Sequence, residues 1–201
     1  MDRQEAVKRL KALEGKDLRA LADKYGVTVW KKGRINKGWA GHVMERYLGL
    51  PLNSAQSPNF GSWELKVVPL KRNKLGQAVV KETMAITMID AVNVVEKPFE
   101  ESHLFAKLNK AVVCARMFES KEERSSLLVK VATFDLDDPA LYAQVKADYD
   151  LVRDAIRTRG FDSLTGKMGV LVQPRTKGPG HGSRSRAFYA RKALVGHILS
   201  L

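Results

Sequence analysis

The chain has 201 residues, of which 44% are hydrophobic, and its 35 Lys and Arg against 22 Asp and Glu give a formal charge of +13 and a pI near 9.9. That length and apolar share suit one globular domain, and no apolar stretch approaches the roughly 20 residues that span a bilayer. The single cysteine, Cys114, excludes an intrachain disulfide and a cysteine-based zinc cluster, while the cation excess calls for a polyanion, and nucleic acid fits better than a membrane because no basic amphipathic helix with a broad apolar face stands out.

In chain order, Val7, Leu10, Leu13, Leu18, Leu21 and Ala22 recur at helical spacings on either side of Gly15, which predicts two short helices over residues 3–24, the second capped by Asp17. The opening Met-Asp-Arg-Gln-Glu lacks the apolar run of a secretory signal, so a reducing cytoplasm is expected. Lys31-Lys-Gly-Arg-Ile-Asn-Lys-Gly38 reads as a basic loop punctuated by glycine, and residues 39–49 as a helix closed by Gly49. Within that helix Gly41 suggests close approach of another backbone, and His42 a packing or solvated role. Residues 51–61 are rich in Pro, Asn, Ser and Gly and read as loop.

Residues 62–70 are the clearest strand. In Gly61-Ser-Trp-Glu-Leu-Lys-Val-Val-Pro69, side chains two apart share a face, so Glu64 and Lys66 project together while Trp63, Leu65 and Val67 turn into a core. A carboxylate that holds a divalent cation, beside an ammonium that orients or deprotonates a water, is the minimum equipment for phosphodiester hydrolysis. Many half-buried strands carry the same pair as a solvated face, so the motif is weak by itself.

Residues 71–77 read as a basic hairpin turn and 81–90 as its returning strand. A helix over 100–110 is expected, then strands over 111–118 and 127–134. Asp138-Pro139 opens a helix running to about residue 159, with Leu141, Val145, Tyr149, Val152 and Ile156 as its apolar stripe. A strand over 167–173, a loop over 174–185 and a helix over 187–200 complete the chain. That order argues for one α/β domain. His103 and His197 read as structural, no histidine pair has zinc-ligand spacing, and no phosphate-binding Gly-x-x-x-x-Gly-Lys-[Ser/Thr] loop occurs.

Pro174-Arg-Thr-Lys-Gly-Pro-Gly-His-Gly-Ser-Arg-Ser-Arg186 holds four cations, one histidine and no acid. Arg reads guanine edges, and Ser and backbone groups bind phosphate oxygens. With the basic segments at 31–37 and 71–74, this loop would line a groove around the Glu64 strand.

Lys37-Gly-Trp-Ala-Gly-His-Val-Met-Glu-Arg-Tyr-Leu-Gly49 followed by Trp63-Glu-Leu-Lys-Val-Val-Pro69 resembles the MutH-type endonucleases, which include the mismatch-repair strand-nicking enzyme and related type II restriction endonucleases. Glu82-Thr-Met-Ala-Ile86, Glu101-Ser-His-Leu-Phe-Ala-Lys-Leu108 and Arg186-Ala-Phe-Tyr-Ala-Arg-Lys192 resemble later blocks in the same order, so the likeness spans about residues 30–200. The Lys-Gly-Pro-Gly-His loop is also similar to one in the MvaI/BcnI branch. The resemblance implies a restriction-endonuclease-like fold of the PD-(D/E)xK class, α/β with a central mixed β-sheet flanked by helices. Residues 1–201 would form a single endonuclease domain, with 1–30 a helical N-terminal extension or subdomain. It implies a magnesium-dependent cut in double-stranded DNA, with manganese as a substitute, by a sequence-specific type II restriction enzyme in a bacterial or archaeal cytoplasm, associated with the nucleoid. The alternatives are a mismatch-repair nickase that calls on a MutL-like partner and a non-catalytic DNA-binding module. Oligomeric state and target sequence stay open.

Carried over by position, Asn59, Glu64 and the Leu65 carbonyl are the implied metal ligands, with Lys66 the water-orienting cation and Glu45 an acid approaching from the helix. The implied DNA contacts are Lys37, Arg34, Lys71, Arg72, Arg175, Lys177, His181, Ser183, Arg184, Arg186, Tyr189 and Arg191. The family expects an aspartate where this chain has Asn59. An amide oxygen still faces a hard cation but lacks the charge that draws it in. A deliberate inactivating aspartate-to-asparagine change, a natural loss of activity and a tolerated variant are the three explanations, and retention of the other site residues favours the first.

Overall fold

The computed structural model describes residues 1–49, 58, 60–178 and 184–201. The chain opens with α1 (Arg3–Lys11), capped by the Asp2 carboxylate on the amides of Gln4 and Glu5, and α2 (Leu18–Lys24), capped by Asp17 on the Arg19 amide. Caps of this kind contribute about 1 kcal/mol each. Asp17 also accepts from the Ser126 amide at 2.8 Å, which ties this end of the chain to its middle. The segment expected as a basic loop is instead a miniature hairpin of β1 (Trp30–Lys31) and β2 (Arg34–Ile35). Its two turn residues, Lys32 and Gly33, both have positive φ, at 49° and 71°. That geometry matches the twist of a tight hairpin, but Lys-Gly is not one of the dipeptides that announce it. Next come α3 (Trp39–Tyr47) and β3 (Glu64–Arg72).

The strand returning on β3 is β4 (Ala78–Val80), and β5 (Met84–Met88) belongs elsewhere, so the expected pairing of 81–90 with 62–70 does not form. Pro69 explains the break. Its carbonyl accepts from the Lys81 amide at 3.1 Å, but it has no N–H to return, and the ladder stops at the Leu70–Val80 pair. After α4 (Ala91–Glu96) and α5 (His103–Leu108), β6 (Lys110–Met117) lies parallel to β3, and β7 (Leu128–Asp135) antiparallel to β6. The expected long helix is α6 (Pro139–Arg159), with Asp138 capping the amides of Ala140 and Leu141.

The C-terminal part departs most from expectation. The strand expected over 167–173 is β8 (Val172–Thr176), and the expected closing helix divides into β9 (Arg186–Ala190) and α7 (Lys192–Leu199). Asp148, buried on α6, accepts from the amides of Val170, Leu171 and Val172 at 2.7 to 2.8 Å, which holds the preceding residues in a turn. Gly169 has φ +76°, and a Cβ there would lie 1.8 Å from the Val172 carbonyl oxygen, so only glycine fits.

These strands make a mixed sheet in the order β4-β3-β6-β7 and an antiparallel sheet in the order β5-β9-β8. The mixed sheet is covered on both faces. Trp63, Leu65, Val112 and Cys114 meet Leu10, Leu18, Val43 and Met44 of the first three helices, so the helices of residues 1–30 form one wall of the core. Val68, Leu70, Val113 and Met117 meet Tyr149, Val152 and Leu194 from α6 and α7, with Phe188 of the second sheet. Burial pushes the Cys114 thiol up to about 12, so at neutral pH it is an inert core group. Arg3 clasps Asp135 through both carboxylate oxygens at 2.8 Å, and this pairing holds the Arg3 guanidinium above its ordinary value. No helix among the described residues is long and apolar enough to cross a membrane.

Candidate active site

The face of β3 that carries Val68 and Leu70 in the core carries Glu64 and Lys66 at its start. There the second sheet stands away from the first, and a cleft of about 500 Å³ opens, walled by α3, β3, β5, α5 and Lys177. Ala40, Gly41, His42 and Glu45 place one side of α3 on it. A Cβ on Gly41 would meet nothing within 4 Å. Gly41 therefore leaves room in the cleft and does not serve close backbone packing.

Glu64 forms the floor. It is 2% exposed, and its Oε1 receives the Lys66 ammonium at 2.8 Å and the Lys107 ammonium at 3.4 Å. A buried carboxylate is strongly disfavoured without such partners. Lys66 donates also to the Ile86 carbonyl at 3.0 Å, which links the two sheets across the cleft. Burial lowers the Lys66 pKa from the ordinary lysine value; Glu64 opposes that shift, and the Lys107 and Lys177 charges add to it.

Lys107 was missed in the sequence. It lies inside a block whose resemblance was noted, but one lysine on a short helix has no spacing to distinguish it. Its position is set by α5, which Ser102 caps through the Phe105 amide, and only the fold brings it to Glu64.

The structure brings Glu45, Glu64, Leu65, Lys66, Lys37 and Lys177 together around this cleft. A second hollow of about 590 Å³ continues it past Lys37, Lys66 and Lys177 to Arg175 and Tyr189, where the Arg175 guanidinium lies 5.7 Å from the Tyr189 ring centre and donates to Thr83 Oγ1. Burial raises the Tyr189 pKa. Together the two hollows form a groove with more cations than acids. Lys71 and Arg72 lie at the far end of β3, with Arg72 bound to the Gly76 carbonyl, and neither lines the groove. Arg34 is exposed on the β1–β2 hairpin, facing away with Lys31 and Lys32. Arg184 is exposed, and Arg186 donates to the Arg184 carbonyl. Arg191 takes a structural place, donating to the carbonyls of Gly166, Met168 and Gly169 at 3.0 to 3.1 Å. Asn59, His181 and Ser183 lie outside the described residues.

The donor set suits a small hard cation, which takes carboxylate, amide and backbone oxygens. Glu64 and Glu45 reach the cleft from a strand and a helix. Among the described residues no group of three His, Cys, Asp or Glu side chains is placed to hold a metal.

A family model described as DNA mismatch repair enzyme MutH matches residues 48–144, a segment that holds Glu64, Lys66 and Lys107 and ends before Arg175. The DNA mismatch repair protein MutH of Vibrio cholerae serotype O1 is 27% identical over 189 residues, covering 93% of this chain and 84% of that protein. The MutH of Pasteurella multocida is 23% identical over 212 residues, covering 98% and 94%. A solved structure, a complex of restriction endonuclease MvaI with its cognate DNA substrate, covers 98% of this chain and 97% of its own at 12% identity and a TM-score of 0.40.

Proposed function

From the likeness of this chain to the MutH proteins and the geometry of its cleft, we propose a magnesium-dependent endonuclease that hydrolyses phosphodiester bonds in double-stranded DNA. The observation that carries this reading is the Glu64 carboxylate, 2% exposed and flanked by two ammonium groups, at the floor of a cation-lined groove. The MutH relatives, matched over most of their length, support it.

Glu64, the Leu65 carbonyl, Glu45 and the residue 59 side chain would hold the metal, which when bound polarises the phosphoryl group and makes a bound water more acidic. Lys66 acts beside it. A lysine with a lowered pKa gives up and takes back a proton closer to neutral pH than an exposed one, so Lys66 can orient a water and share its proton. Lys107 offsets the Glu64 charge in a buried place. Lys37, Lys177 and Arg175 hold the phosphates on either side of the cut, and backbone contacts of this kind set register more than sequence preference. Water attacks phosphorus and gives up a proton, one P–O ester bond breaks, and the leaving oxygen takes up a proton to depart as a hydroxyl.

Restriction cutting of both strands is the first form of this activity. The names of the relatives favour a second, single-strand nicking in mismatch repair with a MutL-like partner. The test is digestion of supercoiled plasmid with magnesium, using the chain and its Asn59→Asp variant. The variant is expected to cut faster by orders of magnitude, linear product indicating restriction and open circles indicating nicking. No magnesium-dependent cleavage by either protein would defeat the assignment.

A further inference from the structure

Beside the cleft lies a separate pocket of about 350 Å³ that shares Lys37, Pro69, Glu82 and Arg116 with it. One wall is the β1–β2 hairpin. Trp30 and Ile35 are direct cross-strand partners, so they share a face, and both line the pocket. Lys31 and Arg34, the other pair, line a different hollow. Trp30 thus looks onto this pocket, while Ile35 borders both hollows.

Trp30 stays 42% exposed while its indole N–H is anchored on the Glu122 carbonyl at 3.3 Å. A large aromatic ring held open in this way is a stacking platform. Phe118 lines the same pocket, with the Lys81 ammonium 4.1 Å from its ring centre. Trp39 lines the pocket as well, and its buried indole N–H has no hydrogen-bond partner among the described residues. The remaining lining has more cations than acids: Lys37, Lys81 and Lys121 stand with Glu82, whose carboxylate lies 3.9 Å from the Lys81 ammonium, while Glu123 takes a two-pronged bond from Arg116 at 2.7 and 2.9 Å. An apolar side chain from a protein partner would find its platform but gain nothing from the cations. A nucleotide has the flat face, the hydrogen-bond acceptors and the negative charge that this lining complements.

We propose that the pocket beside Trp30 and Phe118 receives one unstacked nucleobase of the DNA strand that runs through the neighbouring cleft, stacked on Trp30 with its phosphate toward Lys37 and Lys121. The assignment rests on the DNA reading above for the source of the base. It adds a stacking site that grips a strand locally opened next to the cut, an opening that is easier at a mismatch or an end than within a paired duplex.

The test uses the full chain in EDTA, where catalysis plays no part. Fluorescein-labelled dA pentanucleotide and an abasic pentanucleotide of equal charge are titrated by anisotropy. The base-bearing oligomer should bind about tenfold tighter or more. Trp30→Ala should bring the ratio to about one, and Trp30→Phe, which keeps a ring at the same place, should retain most of it. Equal affinity for the two oligomers in the starting chain, or a preference that survives Trp30→Ala, overturns the proposal, as does an apolar tryptophan-containing tripeptide that binds where the oligomer shows no base preference. A base preference in a protein without nuclease activity would leave the pocket standing while the catalytic reading falls, and the reverse result would sink the pocket alone.

Discussion

Two buried ion clusters lie close together along the same cleft, and they are built on opposite plans. Arg116 meets Glu123 through both nitrogens of its fork and adds Ser126 Oγ at 2.9 Å, one charge against one. The Arg116 guanidinium also lies 5.0 Å from the Trp39 ring centre. Glu64, by contrast, carries two ammonium groups on a single oxygen, and burial lowers the pKa of one of them. The first cluster is closed and balanced, and it holds the end of β6 to the loop after it. The second is overcharged and opens on solvent through the cleft, an arrangement that serves stability poorly and an incoming anion or cation well.

Substitutions can break that contrast. Glu64→Gln should lower magnesium-dependent cleavage by about a thousandfold or more, because it removes the charge that would hold the metal, and its rate loss measured on plasmid should exceed anything its melting curve explains. Arg116→Met should show the reverse balance. Leaving Glu123 buried and unpaired costs about 3–5 kcal/mol, read by urea unfolding, and pairing it with Glu123→Leu should recover much of that loss.

Lys66→Met sharpens the comparison through pH. The folded chain lowers the Lys66 pKa below 10.5, so between that lowered value and 10.5 the unfolded chain binds more protons. Stability therefore carries the full Lys66 penalty below this window and regains it as pH rises through the window. The difference in Tm between the starting chain and Lys66→Met should shift in favour of the starting chain as pH approaches 10.5, and a difference flat across pH would refute the perturbed lysine. The smallest effects are expected along the groove. Lys177→Ala and Arg175→Ala should each weaken duplex binding severalfold and reduce the salt dependence by about one unit of slope, while Arg191→Ala, whose guanidinium holds the 166–169 turn, should leave that slope unchanged and cost stability.

The legible parts of this molecule in its sequence were those fixed by local periodicity. The alternation through Trp63, Glu64, Leu65 and Lys66 placed two side chains in a core and two on a functional face, and Asp17 and Asp138 marked their helix starts. What local pattern does not carry is pairing. Met84–Met88 looks like a hairpin partner of the preceding strand, but it joins β9 because Pro69 ends the nearer ladder. Arg186–Ala190 runs into a helix with no glycine or proline between, so the strand is set by its partners β5 and β8 rather than by its own residues. Lys107 reaches Glu64 across 43 positions of sequence, and only the folded arrangement of α5 against β3 reveals it. Arg191, read as a DNA contact from its basic neighbourhood, in the fold binds the carbonyls of the 166–169 turn, a role no local pattern announces.

The most direct measurement is the rate of plasmid cleavage by Asn59→Asp and by Asn59→Asp combined with Glu64→Gln, across a magnesium titration. The account predicts cleavage that saturates with magnesium in the single variant and is lost, by about a thousandfold, in the double. Equal cleavage by the two proteins, or cleavage that persists undiminished in EDTA, would contradict it.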